Sequence, residues 1–198
     1  MEKGMLVVIS GPSGSGKGTV VKEIFPREGF LLSVSATTRK RRENETDGKE
    51  YFFVSKEKFG AMIENNELLE HAQYIDNCYG TPRAYVEEQI ANGITVFLEI
   101  ETCGALQIKE KFPDAVLVFL TTPDLGELRR RLTTRNSEDS EEIEKRLQKA
   151  EKELKDINKY DYLIINEDVK RAADEIRSII SAELLRCGRS AERIKRLQ

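Results

Sequence analysis

The sequence predicts an α/β fold in which a parallel sheet is covered by helices on both faces. Four short apolar runs carry that prediction: 5–10 (MLVVIS), 94–100 (ITVFLEI), 115–120 (AVLVFL) and 162–165 (YLII). They are continuous rather than alternating, as strands buried on both faces are. Helical patterns follow them, and strands alternating with helices imply parallel pairing. After Gly16, the spacing of Val20, Val21, Ile24 and Phe25 is helical, and Pro26 stops it. After 115–120, Asp124 is placed to cap a helix with Leu125, Leu128 and Leu132 on one stripe. After 162–165, Val169, Ala173, Ile176 and Ile180 mark another.

Two stretches break this rhythm. Residues 36–82 are polar and mixed, with a Ser55-capped helix bearing Phe59, Met62 and Ile63 between short aromatic runs. They predict a small α+β lobe inserted into the main fold. Residues 135–157 place Ile143, Leu147, Ala150, Leu154 and Ile157 on one narrow stripe. Glu141–Lys145, Glu142–Arg146 and Glu151–Lys155 supply i,i+4 pairs on the other side. A mostly solvated helix, reached through Arg135-Asn-Ser-Glu-Asp-Ser, suits a mobile lid. The expected organisation is one domain over 1–198: a core of 1–35, 83–134 and 158–187, the lobe 36–82, the lid 135–157 and a basic tail 188–198. In that tail Arg189, Arg193, Lys195 and Arg196 outnumber Glu192, and a solvated helix end is expected.

Composition narrows the function. At 198 residues the chain can bury a core without disulfides or a structural metal. No apolar run approaches the roughly 20 residues that span a bilayer. The first strand begins too near the N-terminus for a signal peptide, so a cytoplasmic protein is expected. Cys78, Cys103 and Cys187 lie far apart and His71 is the only histidine, which leaves no zinc-ligand spacing. A net charge of −3 argues against a general nucleic-acid binder.

The strongest chemical signal is Gly11-Pro12-Ser13-Gly14-Ser15-Gly16-Lys17-Gly18-Thr19, between a predicted strand and a predicted helix. That context makes it a phosphate loop: glycines let backbone N–H groups turn towards phosphate oxygens, and the helix N-terminus adds partial positive charge. Lys17 reaches the outer phosphates as a point charge. The Ser or Thr usual after the lysine is Gly18 here, so a direct hydroxyl ligand for Mg²⁺ is missing and Thr19 is the next hydroxyl. The lobe opens with Ser33-Val-Ser-Ala-Thr-Thr-Arg39-Lys-Arg-Arg42. Taken alone, the basic run also suits a localisation signal or an RNA contact. Beside a phosphate loop, a guanidinium clamp on an acceptor phosphate explains it better.

The run SVSATTR, then Arg42, GKEYFFVS, Leu69-Glu70-His-Ala and Tyr79-Gly80-Thr81 closely resembles guanylate kinase, from Leu6 to about Leu184 and in the same order. The resemblance implies a phosphate-loop kinase core with a GMP-binding lobe and a helical lid. Its implied reaction moves a phosphoryl group from ATP to GMP, with dGMP also accepted and Mg²⁺ accompanying ATP. It implies that Gly11 to Thr19 hold ATP, that Arg39, Arg42, Tyr51 and Tyr79 hold the GMP phosphate, and that Ser35, Glu70, Thr81 and Glu101 read guanine. Guanine offers two donors, N1–H and the 2-amino group, which one carboxylate such as Glu70 can accept together.

Glu99 and Glu101 end the run ITVFLEIE at the edge where parallel sheets bind ligands. With period 2 they point to one face, to orient Mg²⁺-bound water, contact the base or share both tasks; Glu99 is the expected metal group, through water. The family usually has Asp for Glu101 and Gln for Cys103. In the lid, the family pattern sets the arginines matching Arg131, Arg135 and Arg146 over the transferring phosphate, and Asn136 replaces its glycine. Lys17, Arg42, Arg135 and Arg146 are the expected catalytic set, and Asn166 matches a turn that touches adenine. The rival readings are a kinase for AMP, UMP or dTMP, a non-catalytic scaffolding relative, and RNA binding through residues 39–42.

Overall fold

In a computed structural model of the chain, the residues described are 3–25, 27–74, 76–134 and 140–197. The main sheet joins β2 (Phe30–Leu32), β7 (Thr95–Glu99), β1 (Leu6–Ser10), β8 (Val116–Thr121) and β9 (Tyr162–Ile165), in that spatial order. Every pairing is parallel. Alternate residues of β1 enter different cores. Val7 and Ile9 join Val20, Val21 and Ile24 of α1 (Lys17–Ile24) and Ala173, Ile176 and Ile180 of α7 (Val169–Leu184). Leu6 and Val8 join Val86 and Ile90 of α3 (Arg83–Ala91) and Ala105 and Ile108 of α4 (Thr102–Lys111). Burial on both faces explains why β1, β7 and β8 read as unbroken apolar runs.

β2 was not foreseen. It has three residues, all half-buried or exposed, and is an edge strand paired only with β7. A short edge strand leaves little pattern in a sequence.

Residues from 36 to 82 form a second sheet, ordered β4 (Phe52–Phe53), β3 (Ala36–Thr37), β6 (Asn77–Pro82) and β5 (Leu68–Tyr74). Against it lies α2 (Lys56–Glu64), with the Ser55 side chain accepting from Lys58 N as the sequence implied. Ala36, Phe59 and Leu68 make its small core, with Val54, Met62 and Cys78 packed around them. Leu69, one residue on, is buried in the main core instead, so β5 bridges the two packings.

α5 (Leu125–Thr134) is capped by Asp124, whose Oδ1 accepts from Glu127 N at 2.7 Å. α6 (Ser140–Leu154) lays Ile143, Leu147 and Ala150 on Leu128 and Leu132 of α5. The first three residues of the predicted stripe thus bury against a neighbouring helix, while Ile157 lies beyond α6 in a short 3₁₀ turn. Arg135 and Asn136, between these helices, lie outside the described residues.

The C-terminal segment is docked at its start, while Ala191 and residues 193–197 are exposed, as expected of a solvated helix end. Arg189 reaches Asp114 O and Glu183, Ser190 is buried, and α8 (Ala191–Lys195) follows. Two acceptors from other elements dock the start of this segment.

Candidate active site

The chemistry-bearing segments meet at the C-terminal edge of the main sheet, where open parallel sheets hold ligands. The phosphate loop leaves β1 there, Glu99 ends β7 with Glu101 just beyond it, and Asn166 follows β9.

The loop is main chain bent into conformations that favour glycine. Gly11, Gly14 and Gly16 have φ of 144°, 87° and 92°. A Cβ on Gly11 would lie 2.0 Å from Leu120 O, and one on Gly16 would lie 2.4 Å from Asn166 Nδ2. Asn166 is buried and donates through Nδ2 to Ser15 O at 2.7 Å, while its main-chain carbonyl accepts from Arg131 at 2.8 Å. Arg131 also donates to Glu127 of α5. The residue expected at the adenine therefore braces the loop, and Arg131, named only as a lid arginine, helps it. Asn166 also lines a cavity of about 280 Å³ with Gly14, Gly16, Thr19 and Arg130.

Lys17 opens α1 and folds its ammonium over the loop, donating to Gly11 O at 2.6 Å and Pro12 O at 3.2 Å. Burial lowers its pKa, against the attraction of Glu101, Glu99 and Glu153. Glu99 is solvent-accessible, yet the protein around its carboxylate raises its pKa, against Lys17 and Lys22. A Cβ on Gly18 would lie 3.4 Å from Glu99 Oε1, so this carboxylate faces the place of the missing hydroxyl.

Facing the loop is a cavity of about 270 Å³, lined by residues that include Ser13, Lys17, Ser35, Glu70, Glu101 and Arg146. Tyr51, Tyr79 and Glu99 also line it. Glu70 is the buried carboxylate at its end, 3% exposed. Leu68, Leu69 and Glu70 are all buried in succession, because the β5–β6 register shifts between Leu68 and His71. Such an irregularity re-aims a side chain off the strict alternation of a strand. Thr81 Oγ1 donates to Glu70 Oε1 at 2.7 Å. A Cβ on Gly104 would fall 2.4 Å from Glu70 Oε2, so the glycine at the start of α4 leaves the carboxylate its room. Burial pushes the Glu70 pKa up to about 7, opposed by the Thr81 hydrogen bonds.

Glu101 lies beyond β7, at the N-cap of α4, so strand periodicity does not apply to it; it still joins Glu99 in lining the cavity. Arg146 of α6 also reaches that cavity, with Nη1 3.4 Å from Ser13 Oγ. Arg39 is held by Glu45 at 2.6 Å and lies over the Tyr51 and Phe53 rings. Arg42 is exposed on the lobe and does not line the cavity. Arg135 lies outside the described residues.

One cavity is thus lined both by Ser13 and Lys17 of the phosphate loop and by the buried Glu70, which Thr81 holds. The guanylate kinase family model matches residues 3–183. A guanylate kinase of Lactococcus lactis is 51% identical over 193 residues, covering 97% of this chain and 94% of the relative. The chain belongs to the guanylate kinase family. A guanylate kinase of Oceanobacillus iheyensis is 48% identical over 197 residues, 99% of this chain and 96% of the relative. Among solved structures, the crystal structure of guanylate kinase from Anaplasma phagocytophilum superposes with a TM-score of 0.79 at 35% identity, covering 95% and 90% of the two chains. Guanylate kinases are ATP-dependent phosphotransferases that convert GMP to GDP. No helix among the described residues is long and apolar enough to cross a membrane.

The sequence reading missed Gly104, Lys149 and Glu153. Gly104 carries no local mark, because its importance lies in contact with a residue 34 positions away. Lys149 and Glu153 belong to a charged helix in which most bases and acids look alike.

Proposed function

We propose that this chain performs the family's transfer from ATP to GMP with a division of labour between the cavity walls. Gly11 to Thr19 take the ATP phosphates, with Lys17 leaving its carbonyl partners to reach the outer ones. Ser35, Glu70, Thr81 and Glu101 read guanine, and Arg39, Arg42, Tyr51 and Tyr79 take the GMP phosphate. Arg42, Arg135 and Arg146 stabilise charge on the moving phosphoryl group. The acceptor atom is already a phosphate oxygen, so no strong general base is required. The proposed division is a core of 1–35, 83–134 and 158–187, a lobe of 36–82 and a lid of 135–157, and closure around both nucleotides excludes water.

Glu70, held by Thr81 and lining the same cavity as Lys17, carries this reading. Guanine's N1–H and 2-amino donors match an ionised Glu70; adenine sets an acceptor and a bare carbon in the same places. Nothing in this cluster distinguishes ribose from deoxyribose, and dGMP is proposed as a second acceptor.

Mg²⁺ is proposed to accompany ATP, where it neutralises charge on the phosphates. Among the described residues no three His, Cys, Asp or Glu side chains converge as a metal-holding group. Glu99 beside Gly18 fits an ion that keeps several waters and uses one or two carboxylates. We place the protein in the cytoplasm.

A coupled ADP-release assay with GMP, dGMP, AMP, UMP and dTMP as acceptors tests the proposal. GMP is expected to lead, with dGMP next. Equal turnover of AMP would remove the guanine-reading assignment.

A further inference from the structure

Beyond the residues given roles above, α6 sends a second cation to Glu101, which lines the cavity. Lys149 follows Arg146 by three positions, and positions three apart share a helix face. Its ammonium contacts Glu101 Oε2 at 2.5 Å and lies 3.7 Å from Glu153 Oε1. Glu153 is itself buried and accepts from Thr102 Oγ1 at 3.1 Å, and Thr102 is the first residue of α4. One helix thus touches the phosphate loop through Arg146 and the guanine side of the cavity through Lys149.

The contact acts on a side chain that needs it. Glu101 sits at the N-cap of α4 but makes no capping hydrogen bond there, so the helix does not fix its carboxylate. The surroundings are also strongly acidic. Glu99 and Glu70 line the same cavity as Glu101, Glu153 lies behind it, and the cleft must admit two anionic nucleotides. A lysine on Glu101 orients that carboxylate and removes one uncompensated negative charge from the route of the acceptor phosphate. The pairing also gives a reason for Glu where the family usually has Asp: the longer side chain reaches α6.

We propose that Lys149 is a positioning residue of guanine recognition, holding Glu101 in place from the lid helix and so linking the lid to the identity of the base. The inference rests on the proposed reading of guanine by Glu101. It assigns a role to Lys149 that no spacing in the sequence announced. Because both side chains are partly exposed, at 42% and 37%, the expected effect is modest.

The test is kcat/KM for GMP and for IMP, whose base lacks the 2-amino group, at saturating MgATP. Wild type is compared with Lys149→Met, Lys149→Arg, Glu101→Gln and the double variant Glu101→Gln/Lys149→Met, with thermal melting to compare their folds. Lys149→Met is expected to reduce the preference for GMP over IMP about fivefold, mostly through KM. Lys149→Arg, which keeps the charge, should retain most of it. The double variant should be no worse than Glu101→Gln alone, because the two side chains act as one unit. Equal losses for GMP and IMP in Lys149→Met, or losses that simply add in the double variant, would overturn the link while leaving the reading by Glu101 intact. An unchanged preference in Glu101→Gln would remove that reading, and the proposal with it.

Discussion

The two walls of the cleft are made of different material. The donor wall is main chain: Gly11 and Gly16 have φ of 144° and 92°, and the clamp on Ser15 comes from Asn166. The proposed acceptor wall is side chains gathered from separate elements, with Glu70 on β5, Thr81 on β6 and Glu101 at the cap of α4. A wall of backbone N–H groups suits the triphosphate, which any nucleotide donor offers. A wall of side-chain acceptors suits one base. The comparison teaches where selectivity resides: substitutions at the donor wall should disable transfer for every acceptor, and those at the acceptor wall should change which acceptor is used.

The largest expected effect is at the donor wall. Lys17→Ala should leave a folded protein and lower kcat by at least about 10²–10³-fold, the scale for loss of one aligned charge stabiliser. The loss should be the same with GMP and dGMP. Near-normal turnover would break the comparison, because the loop would then hold phosphate without its lysine.

That wall was also the more legible one. Its glycines, lysine and flanking strand and helix are contiguous, so the spacing alone located it. The strands β1, β7 and β8 were visible for a related reason, since burial on both faces writes continuous apolar runs; β9 read the same way although it is an edge strand with Leu163 and Ile165 exposed. β2 escaped because Phe30–Leu32 is short and lies at the sheet edge. On the acceptor wall, the resemblance supplied Glu70, Thr81 and Glu101, but contacts between distant positions could not be read. Gly104 beside Glu70 and Lys149 beside Glu101 are products of the fold. Period 2 predicted a common direction for Glu99 and Glu101; their shared cavity instead follows from the turn into α4.

A middle-sized effect should come from Gly104→Ala. Inside a helix alanine is favoured over glycine by about 1 kcal/mol, so folding stability should hold or rise. The new Cβ, however, would sit 2.4 Å from Glu70 Oε2 and displace that carboxylate. A displaced charged acceptor should lower kcat/KM for GMP by about tenfold or more, with a far smaller change for AMP. Melting curves together with acceptor kinetics separate the two effects. Unchanged kinetics for GMP would mean that Glu70 can move without loss.

The smallest effect is expected at Gly18. Its φ lies outside the left-handed region and a Cβ there meets Glu99 only at ordinary contact distance. Gly18→Ser should therefore fold and turn over GMP at close to the original rate, with an equal or lower Mg²⁺ requirement in a titration at fixed ATP. Loss of activity with an intact fold would show that the loop needs glycine at this position as well.

The central claim is that an ionised Glu70 is what makes GMP the acceptor, and its pKa gives the claim a direction in pH. The folded carboxyl, at about 7, holds its proton more tightly than the ordinary value of 4.5. Its contribution to folding is therefore complete below about pH 4.5 and is lost as pH rises through about 7. GMP recognition runs the opposite way, because the N1–H and 2-amino donors need the charged form. The decisive measurement is kcat/KM for GMP and AMP from about pH 6 to 8 in wild type and Glu70→Gln, at saturating MgATP. Comparison with the variant removes the titration of the nucleotide's own phosphate, whose second pKa is near 6. The account predicts a rise for GMP in wild type centred near pH 7, absent from Glu70→Gln, with GMP losing at least about tenfold in the variant and AMP much less. Equal losses for the two acceptors, with no difference in pH profile between the proteins, would contradict it.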